Sequence, residues 1–330
     1  MTATTATTTA TTVASVSSER TTYDCRTTWA ATIADLARTD ERIVTVVNDS
    51  IGSSKLDAFA TEFPARTINV GIAEQDMVGI GAGLAMSGRV PFVSAAGCFL
   101  TARAMEQIKA DVAYSQTNVK LIAQSPGVAY GDLGPTHHSI EDFAWMRTIP
   151  GLTVLAPADP VETEQVVRWA AAHDGPVYIR ISRMAVPDVN APGYAFAPGK
   201  AVTLRDGEDV TIIATGTTVT RAVDAADLLV AEGIDARVLS MPTIKPLDSE
   251  AILAAARETA GIVTVEEALT TGLGGAVAEV VAEHQPCTVR RIGFDDAFAV
   301  TGTAEWLLDQ IGASPRGIAD TATGLVGRGR

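Results

Sequence analysis

Residues 68–88, INVGIAEQDMVGIGAGLAMSG, bring an acid to a turn between a strand and a helix. A strand ends near Val70, Gly71 permits a tight turn, and a helix begins around Ala73. Ligands of open α/β sheets sit beyond the carboxyl ends of the strands, and Glu74 falls there. Ile72, Met77, Val78 and Ile80 make its surroundings apolar, while Gly79, Gly81 and Gly83 leave room for close packing. A plainer account competes: Glu74 and Asp76 complement the positive end of the helix, the commoner fate of first-turn acids. The glycines lie within the helix rather than before it, which excludes a dinucleotide fingerprint.

A second candidate is YGDLGPTHHSIED, residues 130–142. Gly131, Gly134 and Pro135 define a loop, and His137 and His138 precede a helix whose expected cap is Ser139. Two of the chain's four histidines on one loop after a strand point to a site. A metal centre is a poor fit, because adjacent side chains point apart and no third ligand lies at suitable spacing. In GCFLTARAMEQIKADV, residues 97–112, the apolar stripe Phe99, Ala102, Met105, Ile108 and Val112 is accounted for by core packing. Arg103 is not, although a solvated face would suffice for it.

The elements that must position these residues alternate. Short apolar strands at 43–47, 67–70, 90–94, 119–123, 152–155 and 177–181 are separated by helical stretches, including one expected over 99–113. The segment MAVPDVNAPGYAFAPGK, with its prolines and glycines, breaks every period. A second alternating run follows. The expected fold is α/β: two consecutive doubly wound domains with mostly parallel sheets, at 22–184 and 201–330, joined by a linker over 185–200. The Thr/Ala-rich start, 1–21, reads as a disordered tail with neither the basic start nor the apolar middle of a secretory signal.

Composition narrows the function classes. With 47% hydrophobic and 19% charged residues the 330-residue chain can bury a substantial core. A net charge of -14 argues against nucleic acid or an anionic membrane as partner. No run approaches the roughly 18 apolar residues a bilayer span needs. Cys25, Cys98 and Cys287 have neither metal spacing nor an even count, consistent with reduced thiols in a cytoplasmic protein.

Taken in order, NVGIAEQDM, GCFL, GPTHHSIEDFAWMR and IRISR resemble the pyrimidine-binding domain of transketolases, and are similar to 1-deoxyxylulose-5-phosphate synthases. VTVEEALTTGLGGAVAEVV, residues 263–281, resembles the C-terminal domain that follows in those enzymes. The likeness covers roughly residues 22–330. Family members hold the cofactor diphosphate and its Mg²⁺ on a preceding domain, through Gly-Asp-Gly and a following Asn. This sequence has no Gly-Asp-Gly. The resemblance therefore implies the second subunit of a split transketolase, with thiamine diphosphate between subunits, diphosphate and metal held mainly by the partner, and an α2β2 assembly.

Residue by residue, the resemblance gives Glu74 the role of the glutamate that hydrogen-bonds the aminopyrimidine. That role needs a protonated acid, and an apolar interface raises a carboxyl pKa. It implies that Phe99 stacks on the pyrimidine, that Arg103 and Asp49 lie near the cofactor, and that His137 faces the reacting substrate. Arg26, Ser53 and Arg183 fall where the family binds a sugar phosphate, here a phosphorylated ketose donor. Two positions depart from sugar transketolases. Leu133 stands where they carry an aspartate that reads a substrate hydroxyl, and Ser125 where they carry a phosphate-contacting histidine. A leucine accepts no hydrogen bond, so the resemblance implies ketol transfer with an atypical substrate, either an unusual sugar phosphate or a natural-product acceptor. The competing readings are the β subunit of a 2-oxo acid dehydrogenase E1 component, a 1-deoxyxylulose-5-phosphate synthase, and a non-catalytic scaffolding subunit.

Overall fold

The computed structural model describes residues 20–191 and 193–327, so most of the expected N-terminal tail lies outside the described residues. Strands β1 (Ile43–Val47), β2 (Thr67–Asn69), β3 (Val90–Ala96), β4 (Lys120–Gln124), β5 (Thr153–Leu155) and β6 (Val177–Ile181) build one sheet. A second sheet contains β7 (Val202–Arg205), β8 (Val210–Ala214), β9 (Ala236–Ser240), β11 (Ile262–Leu269) and β12 (Val289–Phe294). In space the second sheet runs β12-β11-β8-β9-β7, with β7 antiparallel at its edge. Strands such as IVTVV of β1 and VTIIA of β8 are buried on both faces, as parallel strands covered by helices must be. The doubly wound α/β expectation holds.

Four details differ from the expectation. Strand β10 (Thr243–Lys245) comes from the second run yet pairs antiparallel with β5, giving the first sheet the order β10-β5-β6-β4-β3-β1-β2. The two sheets also share one apolar core, in which Met77, Leu100 and Phe143 join Leu239, Met241 and Ile252.

The helix expected over 99–113 is broken. Gly97–Arg103 is helical, Ala104 leaves helical geometry at φ -103°, ψ 20°, and Ile108–Tyr114 winds as a π-helix. The buried residues include Leu100, Ala104, Ile108 and Val112, a four-residue spacing wider than the 3.6 of an α-helix. The break lets that stripe face the core, while Ala102 is exposed and Phe99 half-buried. Nor does Ser139 cap the following helix, which starts at Asp142. Ser139 instead exchanges two backbone hydrogen bonds with Gly127, closing the loop that carries the histidines.

Candidate active site

The carboxyl ends of β1 and β3 bring the central acid together with its partners. Glu74 opens the helix Glu74–Met86 and is 3% exposed. Its Oε1 accepts from Asn48 Nδ2 at 2.7 Å, and both oxygens accept from Arg103 Nη1 at 3.0 Å. Burial pushes this carboxyl up, but hydrogen bonds from Arg103, from the helix-start N–H and from Asn48 outweigh it and hold it below the usual carboxylate value. The acid expected to be protonated is therefore an ion-paired carboxylate in this chain. The surroundings are also less apolar than the sequence implied: Met77 and Val78 are buried, but Ile72 is 78% exposed beside an open cavity of about 510 Å³ lined by Glu74, Gln75, Asp76 and Arg103.

From Arg103 a line of rings continues the site. Its guanidinium carbon lies 4.1 Å from the Phe99 ring centroid. Phe99 meets His137 edge-on at 5.2 Å, His137 meets Tyr130 at 6.0 Å, and the Arg183 guanidinium sits 4.7 Å from the Tyr130 centroid. His137 Nδ1 is 3.0 Å from Thr136 Oγ1, which fixes the ring. Its neighbour His138 is buried, with Nε2 3.4 Å from Gly131 O, and burial pushes its pKa down. Of the two histidines, only His137 faces the cluster.

The other expected residues are placed less uniformly. Leu133 is 55% exposed and shares a cavity of about 560 Å³ with Tyr130, Arg183, and Thr303 and Glu305 from the second half. Ser125 is buried at φ +51°, and its hydroxyl has no hydrogen-bond partner among the described residues. Asp49 is exposed at φ +75°, its N–H donating to Asn69 Oδ1. Arg26 and Ser53 do meet, but through the Ser53 carbonyl at 3.1 Å, and the rest of the Arg26 guanidinium is occupied by Asp24. Arg26 is thus not a free anion receptor in this conformation.

Two participants escape the sequence reading. Asn48 ends the apolar run of β1, and the rule of strand ends that selects Glu74 also selects it. Tyr130 lies in the loop of the histidines, and its place among the rings depends on the folded path of that loop. Asn48 also tests whether a cofactor fits. Its Oδ1 is buried without a hydrogen-bond partner among the described residues, next to Glu74 and the Arg103–Phe99 stack. An aminopyrimidine, with its ring nitrogens, exocyclic amine and flat face, matches an acid, a free acceptor and a half-buried aromatic ring. No cluster of three or more His, Cys, Asp or Glu suited to a metal occurs among the described residues, and no helix there is long and apolar enough to cross a membrane.

Residues 21–189 match the family model for the transketolase pyrimidine-binding domain, and residues 199–318 that for the transketolase C-terminal domain. This chain belongs to the transketolase family. Its similarity to single subunits of two-subunit transketolases runs over almost their whole length. Identity is 48% to one subunit of the apulose-4-phosphate transketolase of Phocaeicola vulgatus, across 92% of this chain and 97% of that one. It is 39% to the 6-deoxy-6-sulfo-D-fructose transketolase subunit of Clostridium sp. (strain MSTE9), across 90% and 92%. Among solved structures, a split-gene transketolase in an inactive β4 tetramer superposes with a TM-score of 0.83 at 38% identity, covering 92% and 97%. The transketolase of Leishmania mexicana shares the fold at TM-score 0.79 and 24% identity, with 45% of its chain covered. The chain is accordingly the β-type subunit of a split transketolase, in a family of transferases that use thiamine diphosphate.

Proposed function

We propose that this subunit, joined to a separate diphosphate-binding chain in an α2β2 assembly in the cytoplasm, moves a two-carbon ketol unit from a phosphorylated ketose to an atypical acceptor. The observation that carries the reading is the continuous cluster Asn48–Glu74–Arg103–Phe99–His137–Tyr130–Arg183 at the carboxyl ends of the strands of one sheet. Residues 22–184 supply the pyrimidine side of the site, 185–200 link, and 201–330 form the C-terminal domain.

Glu74, Asn48 and Phe99 would hold the pyrimidine, with Arg103 and Asp49 beside it, while the partner holds the diphosphate and Mg²⁺. Thiamine diphosphate, when bound, supplies the carbon nucleophile and the electron sink for cleaving and forming carbon–carbon bonds. Glu74 then serves as a protonated acid, which requires Arg103 to give up its ion pair and leave burial to raise the carboxyl pKa. His137 stands opposite the ring stack as a donor to substrate oxygens. Arg183 offers the free guanidinium for a phosphate, with Arg26, Ser53 and Ser125 as further candidates at that end.

Leu133 is the reason to expect an unusual substrate. It presents an exposed apolar side chain, which accepts no hydrogen bond, in the cavity beside Arg183. The relatives' named substrates, apulose 4-phosphate and 6-deoxy-6-sulfo-D-fructose, are unusual sugars of this kind. A dehydrogenase E1 β subunit is less well supported, because the relatives at 48% and 39% identity are named transketolase subunits. The test is to reconstitute the chain with its partner and compare donors and acceptors before and after Leu133→Asp. A shift toward ordinary ketose and aldose phosphates is expected; an unchanged profile contradicts the role given to Leu133.

A further inference from the structure

The 128–138 excursion carries Tyr130, Leu133 and His137, and its neck is held from the second half of the chain. Gly127 N donates to Ser139 O at 3.1 Å and Ser139 N to Gly127 O at 2.7 Å. On one side of this bridge, Val128 N donates to Glu267 Oε1 at 2.9 Å. On the other, Arg180 Nη2 donates to Ser139 O at 3.2 Å and to the Glu267 backbone oxygen at 2.7 Å. Arg180 Nε in turn donates to Asp142 Oδ2 at 3.0 Å, and Thr217 Oγ1 donates to Glu267 Oε2 at 2.6 Å. Glu267, Arg180 and Asp142 are all buried. The fit leaves no slack, since a Cβ at Gly127 would lie 2.5 Å from the Glu267 side chain.

We infer that Glu267, from the C-terminal half, is a positioning residue that sets the loop bearing His137 and Tyr130 against Phe99. This rests on the ketol-transfer reading only for its catalytic consequence; the geometric part stands without it. The carboxylate acts by accepting a buried backbone N–H that has no other acceptor among the described residues, so what matters is the hydrogen bond rather than the charge. A glutamine can reproduce it, with its carbonyl on Val128 N–H and its amide on the Thr217 oxygen. An alanine cannot, and frees the neck.

The imidazole resonances of the full chain test this directly, because it has four histidines, His137, His138, His173 and His284. His137 is shifted by the Phe99 and Tyr130 rings, and His173 by Trp169, stacked at 4.6 Å far from the loop. Glu267→Ala should move the His137 signal toward that of free imidazole and leave His173 and His284 in place, while Glu267→Gln keeps the wild-type position. An unmoved His137 signal in Glu267→Ala, or all four signals moving together, overturns the inference. Should Glu267→Ala not fold, amide exchange in the unmodified chain decides: Val128 N–H protected as well as the Gly127 and Ser139 amides supports the clamp, and fast exchange at Val128 overturns it. In the enzyme reconstituted with its partner, Glu267→Ala should lower kcat by up to roughly a hundredfold with the KM for thiamine diphosphate little changed, rescued by Glu267→Gln. If no partner yields ketol transfer by the wild-type chain, the proposed function fails while the resonance comparison still judges the clamp.

Discussion

Both sheets bury glutamates at the carboxyl ends of their strands, and the two places are used in opposite ways. In the second sheet, Glu266 accepts from Leu273 N and Gly274 N at 2.8 and 2.7 Å, and Glu267 from Val128 N and Thr217. Backbone N–H groups and the half-buried Thr217 hydroxyl are fixtures, so these carboxylates hold structure. In the first sheet, Glu74 is also buried, at 3% exposed, but it lines an open cavity and its strongest partner is Arg103, whose side chain is 47% exposed and can swing into solvent. Its second partner, Asn48, keeps a buried acceptor unpaired among the described residues. Burial alone therefore does not distinguish a working acid from a structural one. The distinction lies in whether its partners can leave.

The largest effect should come from Glu74→Gln. In the reconstituted enzyme it removes an acid that contributes about 10²–10⁴-fold, whereas the thermal midpoint of the chain alone should change little, because the amide still bonds Asn48. Near-normal turnover would erase the contrast between the two sheets. Glu266→Gln should do the converse. Burial raises the Glu266 carboxyl to about 7, above its unfolded value, so its contribution to stability is full below the unfolded pKa and lost as pH rises through 7. Removing that ionisation should flatten the fall in stability above pH 4.5 by about 3 kcal/mol, seen in denaturant unfolding at several pH values, with catalysis affected only through stability.

Arg103→Met gives a smaller and more local effect. In the native chain Glu74 titrates below its unfolded value, so the stability it lends is present above that value and is lost as pH falls through the folded pKa. Without Arg103, the hydrogen bond and charge that offset burial are lost. The carboxyl midpoint, followed by carbon NMR, should rise. An unmoved midpoint would mean that Arg103 is not the latch on the acid.

How much of the molecule is legible in its sequence follows the same line. Local pattern reveals the alternating strands and places Glu74 at a strand end, because burial on both faces writes itself as runs such as IVTVV. The motifs carry the family and most of the cluster, His137 and Phe99 included. What stays hidden depends on partners distant along the chain. Arg103 meets Glu74 across 29 residues of chain, and the four-residue spacing that marks the helix break at Ala104 passes for an ordinary helical stripe. Arg26 has the look of a free phosphate ligand, and its neutralisation by Asp24 two residues earlier becomes visible only with the side chains in place. Glu267 sits in VTVEEALTTG as one more strand-end residue, and its contact with Val128 joins the two halves. β10 is three residues long, too short to carry a period.

In the proposed function, Glu74 and its neighbours form half of a cofactor site that a second chain completes. Calorimetric titration of thiamine diphosphate with Mg²⁺, into the chain alone and into its mixture with the diphosphate-binding subunit, tests this most directly. Weak or no binding by the chain alone and tight binding by the mixture is the predicted result; tight binding by the chain alone would contradict it.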